Sequence, residues 1–315
     1  MKKLLFAIVS AALVTAQPVW AEDDEPGEDM RPYVSIDQDK IVNKTDNKEA
    51  HFEGLIDRIK TELLETGLYR VMSMEDALKI QQDQMKWAVI ADDNGGETKV
   101  KTPGFFVSMS ILTYGVSSAV GQNPLTGVVT GQETAKIELI LNVVDARTGE
   151  MIKSKNISGS AAGSASVSAN LTEQVLQTAS KKAVEKIVYE LIKLTPFAIL
   201  DVEDGVVNVD VPGSLKIMGR PIQPGSQFVV SKLGKGKKSR RSGKVTYSEK
   251  QVAVLAITSV GEDSCSAVIL QGAEHLVPIG DDEDTQYEPY IVKINEGSVA
   301  PPPVAPVAHE DSAPF

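Results

Sequence analysis

The stretch Ile137 to Ile152, Ile-Glu-Leu-Ile-Leu-Asn-Val-Val-Asp-Ala-Arg-Thr-Gly-Glu-Met-Ile, restricts the fold of this chain more than any other. Ile137, Leu139, Leu141 and Val143 recur at a spacing of two, the period of a strand. Ile140 and Val144 are apolar on the opposite face, which predicts cover on both faces at that end. Asp145 to Gly149 then supply turn chemistry. Asp accepts hydrogen bonds from its own downstream backbone, and Gly takes the positive φ of a tight reversal. A central hairpin follows, with the return strand starting near Met151.

Helices are predicted on both sides of this hairpin. Phe52, Leu55, Ile56, Ile59, Leu63 and Leu64 form one apolar stripe at helical spacing, closed by Gly67 as a C-terminal cap. Ser73 precedes Asp76 by three, which opens a second helix running to about Met85 or Trp87. Leu171, Val175, Leu176, Ala179, Ala183, Ile187, Leu191 and Leu194 mark a third, capped by Asn170 and stopped by Pro196. Two runs of small residues, 113–133 and 158–169, flank the hairpin and read as excursions from one sheet edge. From Phe197 the pattern changes to short strands and Gly-rich turns: 206–211, 227–230, 251–257 and 266–270. The fold class is therefore α/β (α+β), a mixed sheet packed with helices followed by a small all-β domain.

The chain has 315 residues, enough for two domains. Lys2 and Lys3, the apolar run Leu4 to Val14 and the small residue Ala21 have the layout of a secretory signal peptide over 1–21. The apolar run is too short for a membrane-spanning helix. An acidic linker (22–32), an α/β domain (33–195), a β-domain (197–273) and an acidic, Pro/Ala-rich tail (274–315) complete the expected organisation. Without Lys2 and Lys3 the formal charge moves from −11 to −13, which argues against nucleic acid as a partner. The lone cysteine, Cys265, reads as a small core residue. Position 22, directly after Ala21, is Glu rather than Cys, so no N-terminal lipid is expected, and the expected location is the periplasm or an association with the outer membrane.

Residues Gly67 to Gln84, Phe106 to Leu112, and Leu141 to Ile152 with its Asp-x-x-Thr-Gly-Glu turn are similar to segments of the CsgG family, whose members include the curli-secretion pore protein. The resemblance spans about 33–195 and implies the α/β fold shared with the penicillin-binding-protein activator LpoB. Residues 197–273 resemble the C-terminal β-domain of the flagellar assembly protein FlgT, through Gly225 to Val230 and the Val252 to Leu270 hairpin. Together these imply a non-catalytic envelope accessory or assembly factor that works through protein–protein contacts. An oligomeric curli-type secretion channel is the alternative. A membrane hairpin needs two strands of about 9–11 residues each, and 158–169 is too short and too rich in Ser for one.

No chemical motif points to an enzyme. His51, His275 and His309 have no ligand partner at helical spacing, and no Gly-x-Ser-x-Gly elbow occurs. No metal or cofactor is expected. Asp281 to Asp284 and Gln81 to Gln84 read as solvated polar segments. The segment 232–244 carries Lys232, Lys235, Lys237, Lys238, Arg240, Arg241 and Lys244. It departs from a phosphate loop because Gly243-Lys244 is followed by Val245. Two readings of it stand: a solvated hairpin loop, or a contact for an envelope protein or an anionic envelope surface. A homo-oligomer is a further expectation.

Overall fold

A computed structural model describes residues 31–45, 52–80, 82, 104–122, 129–146, 148–165, 171–235, 237–238, 245–276 and 290–295. The first region comprises β1 (Tyr33–Ile36), β2 (Val42–Asn43), α1 (Glu53–Glu65), β3 (Arg70–Met72), α2 (helical residues 74–80), β4 (Gly104–Gln122), β5 (Val129–Asp145), β6 (Met151–Ala165) and α3 (Leu171–Ile192). The strand order is β3-β1-β4-β5-β6, with β2 beside β4. β1 runs parallel to β3 and β4, whereas β4, β5 and β6 form an antiparallel meander. The sheet is mixed, and the fold is α+β.

The central strand behaves as its spacing requires. Ala135, Ile137, Leu139, Leu141 and Val143 are fully buried on the face that carries α3. Each large apolar side chain removed from water there contributes about 1.5–3 kcal/mol. The predicted turn is present: Gly149 has φ 69° and donates to the Asp145 carbonyl at 2.8 Å, and the Thr148 N–H donates to Asp145 Oδ1 at 3.1 Å. Ile140 and Val144 are only half-buried, and Leu112, Met151 and Ile152 are exposed, so the second face is more open than expected.

α1 closes on Thr66 and Gly67, with Gly67 at φ 70°. Leu64 lies outside its apolar stripe and is exposed, because its position next to Leu63 turns it away from the core. Ser73 caps α2, accepting from the Asp76 N–H at 3.1 Å and donating to Asp76 Oδ2 at 2.7 Å. That second contact holds the Asp76 carboxyl below its ordinary pKa. The rest of that helix and the Asn170 cap lie outside the described residues.

Within the described residues the two predicted excursions are continuations of the meander, and 123–128 and 166–169 lie outside those residues. β4 and β5 stay paired out to Gln122 and Val129, and β6 stays paired with β5 to Ala165 opposite Gly131. The small residues have a packing cause. Gly159 faces α3 so closely that a Cβ would lie 2.1 Å from the Ala179 carbonyl oxygen. Ile157, Gly159 and Ala161 are buried against the helix, while Ser158, Ser160 and Ala162 alternate outward.

The second region contains β7 (Ile199–Glu203), β8 (Val206–Val209), β9 (Lys216–Ile217), β10 (Arg220–Pro221), β11 (Gln227–Leu233), β12 (Lys237–Lys238), β13 (Val245–Thr246), β14 (Glu249–Val260), β15 (Cys265–Gln271) and β16 (Tyr290–Ile294). Its main sheet has the order β16-β11-β14-β15-β8-β7 and is antiparallel throughout. Phe197, just ahead of β7, exchanges backbone hydrogen bonds with Val292 of β16 at 2.9 and 2.8 Å, which closes the sheet into a small barrel.

β16 falls inside the segment expected as a tail, so the β-domain extends past residue 273. Tyr290, Val292 and Ile294 alternate inward, a period-two signal hidden by the acidic run before it. The boundary near 196 does not divide the core. One contiguous apolar cluster runs from Val34 to Ile294. Lys216 Nζ meets Glu65 Oε2 at 2.6 Å and Ser214 Oγ donates to the Thr66 carbonyl at 3.1 Å, tying the end of α1 to the β-region.

Candidate interaction surface

The predicted basic segment does not form a single loop. Lys232 belongs to β11, where its ammonium lies 5.4 Å from the centre of the Tyr290 ring. Lys237 and Lys238 form β12, which pairs with β13 as a two-stranded ribbon. Lys235 and Lys237 are exposed, and Arg240, Arg241 and Lys244 lie outside the described residues. The structure therefore separates Lys232, a barrel-wall residue, from a solvated ribbon.

A second basic surface lies along β6 and α3. β6 ends its sheet and pairs only with β5 among the described residues. α3 packs over it, held close by Gly159 and the small residues Ala179 and Ala183. Lys182 and Lys186, one helical turn apart, reach down to the strand. Lys182 Nζ donates to the Ser160 carbonyl at 3.0 Å and Lys186 Nζ to the Ser158 carbonyl at 2.6 Å.

Further along the same edge, Glu190 is buried and gathers three more lysines. Lys153 Nζ lies 2.5 Å from its Oε2 and also donates to its backbone carbonyl at 3.3 Å. Lys155 and Lys193 lie 3.8 and 3.9 Å from Oε1. No aligned hydrogen bond reaches Oε2 among the described residues, so charge rather than hydrogen-bond geometry holds that contact. The carbonyl end of α3 adds to the attraction for cations.

The result is a row of five lysines, three of them around Glu190 and Lys182 within the field of Glu185, on a chain of formal charge −11. Its components were legible as Lys153 and Lys155 at strand spacing and Lys182, Lys186 and Lys193 near helical spacing. Nothing in the sequence says that this helix lies along this strand.

The other reactive groups are scattered among the described residues. Cys265 is buried, its thiol donates to the Val211 carbonyl at 3.2 Å, and burial raises its pKa. His275 is exposed beside Glu274, and His51, His309 and Asp281 to Asp284 lie outside the described residues. No group of three or more potential metal ligands occurs among the described residues. A cleft of about 230 Å³ opens between the end of α3 and β16. It is smaller than usual small-molecule sites of about 300–1,000 Å³. Its lysines are engaged, Lys293 with Glu249 at 2.5 Å and Lys193 with Glu190. No helix among the described residues is long and apolar enough to cross a membrane.

No protein-family model and no curated protein matches this chain. Solved structures similar to part of it include a neuraminyllactose-binding hemagglutinin homolog from Helicobacter pylori, at 16% identity over 52% of this chain and 86% of that one, with a TM-score of 0.30. A lipoprotein from Neisseria meningitidis aligns at 12% identity over 51% and 98%, with a TM-score of 0.24. The PelC dodecamer from Paraburkholderia phytofirmans aligns at 13% identity over 48% and 83%, also at 0.24. Likenesses of this size assign no function.

Proposed function

We propose that this chain is an exported, non-catalytic protein of the bacterial envelope that acts as an accessory or assembly factor by binding another envelope protein. The observation that carries this reading is the lysine row of β6 and α3, a concentration of positive charge on an acidic molecule. Complementary charge guides association and sets partner choice. Export is supported by the signal-like residues Lys2 to Ala21, and the CsgG-like order of elements is consistent with such a role. The test is capture from envelope extracts with the mature chain as bait. One envelope protein should bind saturably to the wild type and be lost with Lys182→Glu/Lys186→Glu. Absence of any saturable partner for the wild type defeats the reading.

One observation favours the alternative, a curli-type channel. The β4–β5 hairpin continues as a paired ribbon to Gln122 and Val129, long enough for a membrane hairpin. Its exposed side chains include Ser117, Ser118, Thr134 and Lys136, which lack the apolar band such a hairpin needs. Ring-shaped particles in detergent would replace the accessory-factor reading with the channel.

A further inference from the structure

We infer that the free edge of β6 receives an extended acidic segment of a partner protein as an added strand, its alternate carboxylates taking Lys182 and Lys186 from the β6 carbonyls. This rests on the protein-binding reading above and names the chemistry of the partner.

Three features of the edge support it. β6 is the terminal strand among the described residues, and its register with β5 is continuous from Lys153 opposite Val143 to Ala165 opposite Gly131. An unpaired strand edge is a template for another chain unless proline, a bulge or charge blunts it. Here neither proline nor a bulge interrupts that stretch. The outward residues Ser158, Ser160 and Ala162 are small and leave room for a neighbouring strand.

The second feature is spacing. The two lysines hold carbonyls two residues apart, a repeat of about 6.6–6.8 Å along a strand. Alternate side chains of an extended peptide have the same repeat, so a Glu-x-Glu pattern presents carboxylates in step with the lysines. Both ammonium groups sit on long, flexible stems, and Lys182 is exposed.

The third feature is excess charge. Lysines that only guard an edge account for Lys182 and Lys186. They do not account for Lys153 and Lys155, which share the single carboxylate of Glu190 at the same edge, Lys155 with about half of its side chain exposed. The lysines run in a line along the strand, which suits an extended polypeptide better than a flat anionic membrane.

The test uses the mature chain and three probes. These are a fluorescein-labelled octapeptide of alternating Thr and Glu, an octapeptide of the same composition with its four Glu in one block, and vesicles of phosphatidylglycerol and phosphatidylethanolamine at 1:3. The alternating peptide should bind, and at least about tenfold more tightly than the blocked one. Lys182→Gln/Lys186→Gln should weaken it by a similar factor, and Lys235→Gln/Lys237→Gln should leave it unchanged. Ser158→Pro keeps every lysine but removes an N–H from the free edge, and it should abolish the preference for alternation. Thermal midpoints confirm that each variant is folded.

Equal binding of the two peptides, or Ser158→Pro retaining the preference, overturns strand addition. Vesicle binding without peptide binding overturns the polypeptide partner. If the extract yields a saturable partner while the alternating peptide does not bind, this inference fails alone. If neither binds, the proposed function fails with it.

Discussion

The two sheets end in opposite ways. In the first, β6 pairs on one side only among the described residues, and the carbonyls of Ser158 and Ser160 are occupied by lysine side chains from α3. In the second, Phe197, just ahead of β7, bridges to Val292 of β16 and ties the two ends of the main sheet together. Such a bridge shields edge groups that would otherwise be open to another chain. The proposed strand addition uses the open edge, and the β-region shares one apolar core with the α/β region.

The largest expected effect tests how the open sheet holds its helix. Gly159→Val would drive a side chain into the backbone of α3 at Ala179 and Ala183. Overpacking against backbone has no flexible neighbour to absorb it, and the loss should exceed about 3 kcal/mol. Chemical denaturation measures it. A loss within about 1 kcal/mol would mean that the helix seats differently on β6.

The next effect asks whether the two regions unfold together. Phe228 is fully buried in the barrel and meets Phe197 edge-to-face at 6.0 Å. Phe228→Ala should cost about 3–5 kcal/mol. Because the core is continuous, calorimetry should show one transition, moved as a whole. Two separated peaks would divide the molecule at residue 196 and weaken the shared-core comparison.

The smallest effect is electrostatic. Glu185 of α3 is partly buried and packs where a Cβ on Gly219 would meet its carboxylate at 2.3 Å. Burial raises its pKa, against the pull of Lys181. The folded chain therefore holds this proton more tightly than the unfolded chain. Its stabilising effect is full below the ordinary carboxylate pKa and is lost as pH rises through the raised value. Glu185→Gln should raise the thermal midpoint slightly at neutral pH and flatten its pH dependence just above the ordinary carboxylate range. A variant with the same pH profile as the wild type would remove Glu185 from this account.

The sequence was most readable where one local period decides the outcome. The Ile137 to Val143 strand, the Asp145 to Gly149 turn, the Gly67 cap and the Ser73 cap all follow from contacts within a few residues. It was least readable where small residues carry the pattern. Ser, Ala and Gly from 158 onward show no apolar alternation, so a regular strand looked like an excursion. Only the approach of Ala179 and Ala183 explains why large side chains are missing there.

By itself, then, the sequence determined the central hairpin, the helical stripes and caps, the acidic balance and the signal-like start. Tertiary structure decided which charges meet. Lys153 and Lys186 are 33 positions apart, yet both act on the β6–α3 edge because the close seat at Gly159 brings helix and strand together. It also decided that β16 belongs to the barrel, through pairing with β11 and with Phe197. Local propensity cannot encode either result. Both depend on long-range contacts, whose partners are fixed only when the whole core packs at once.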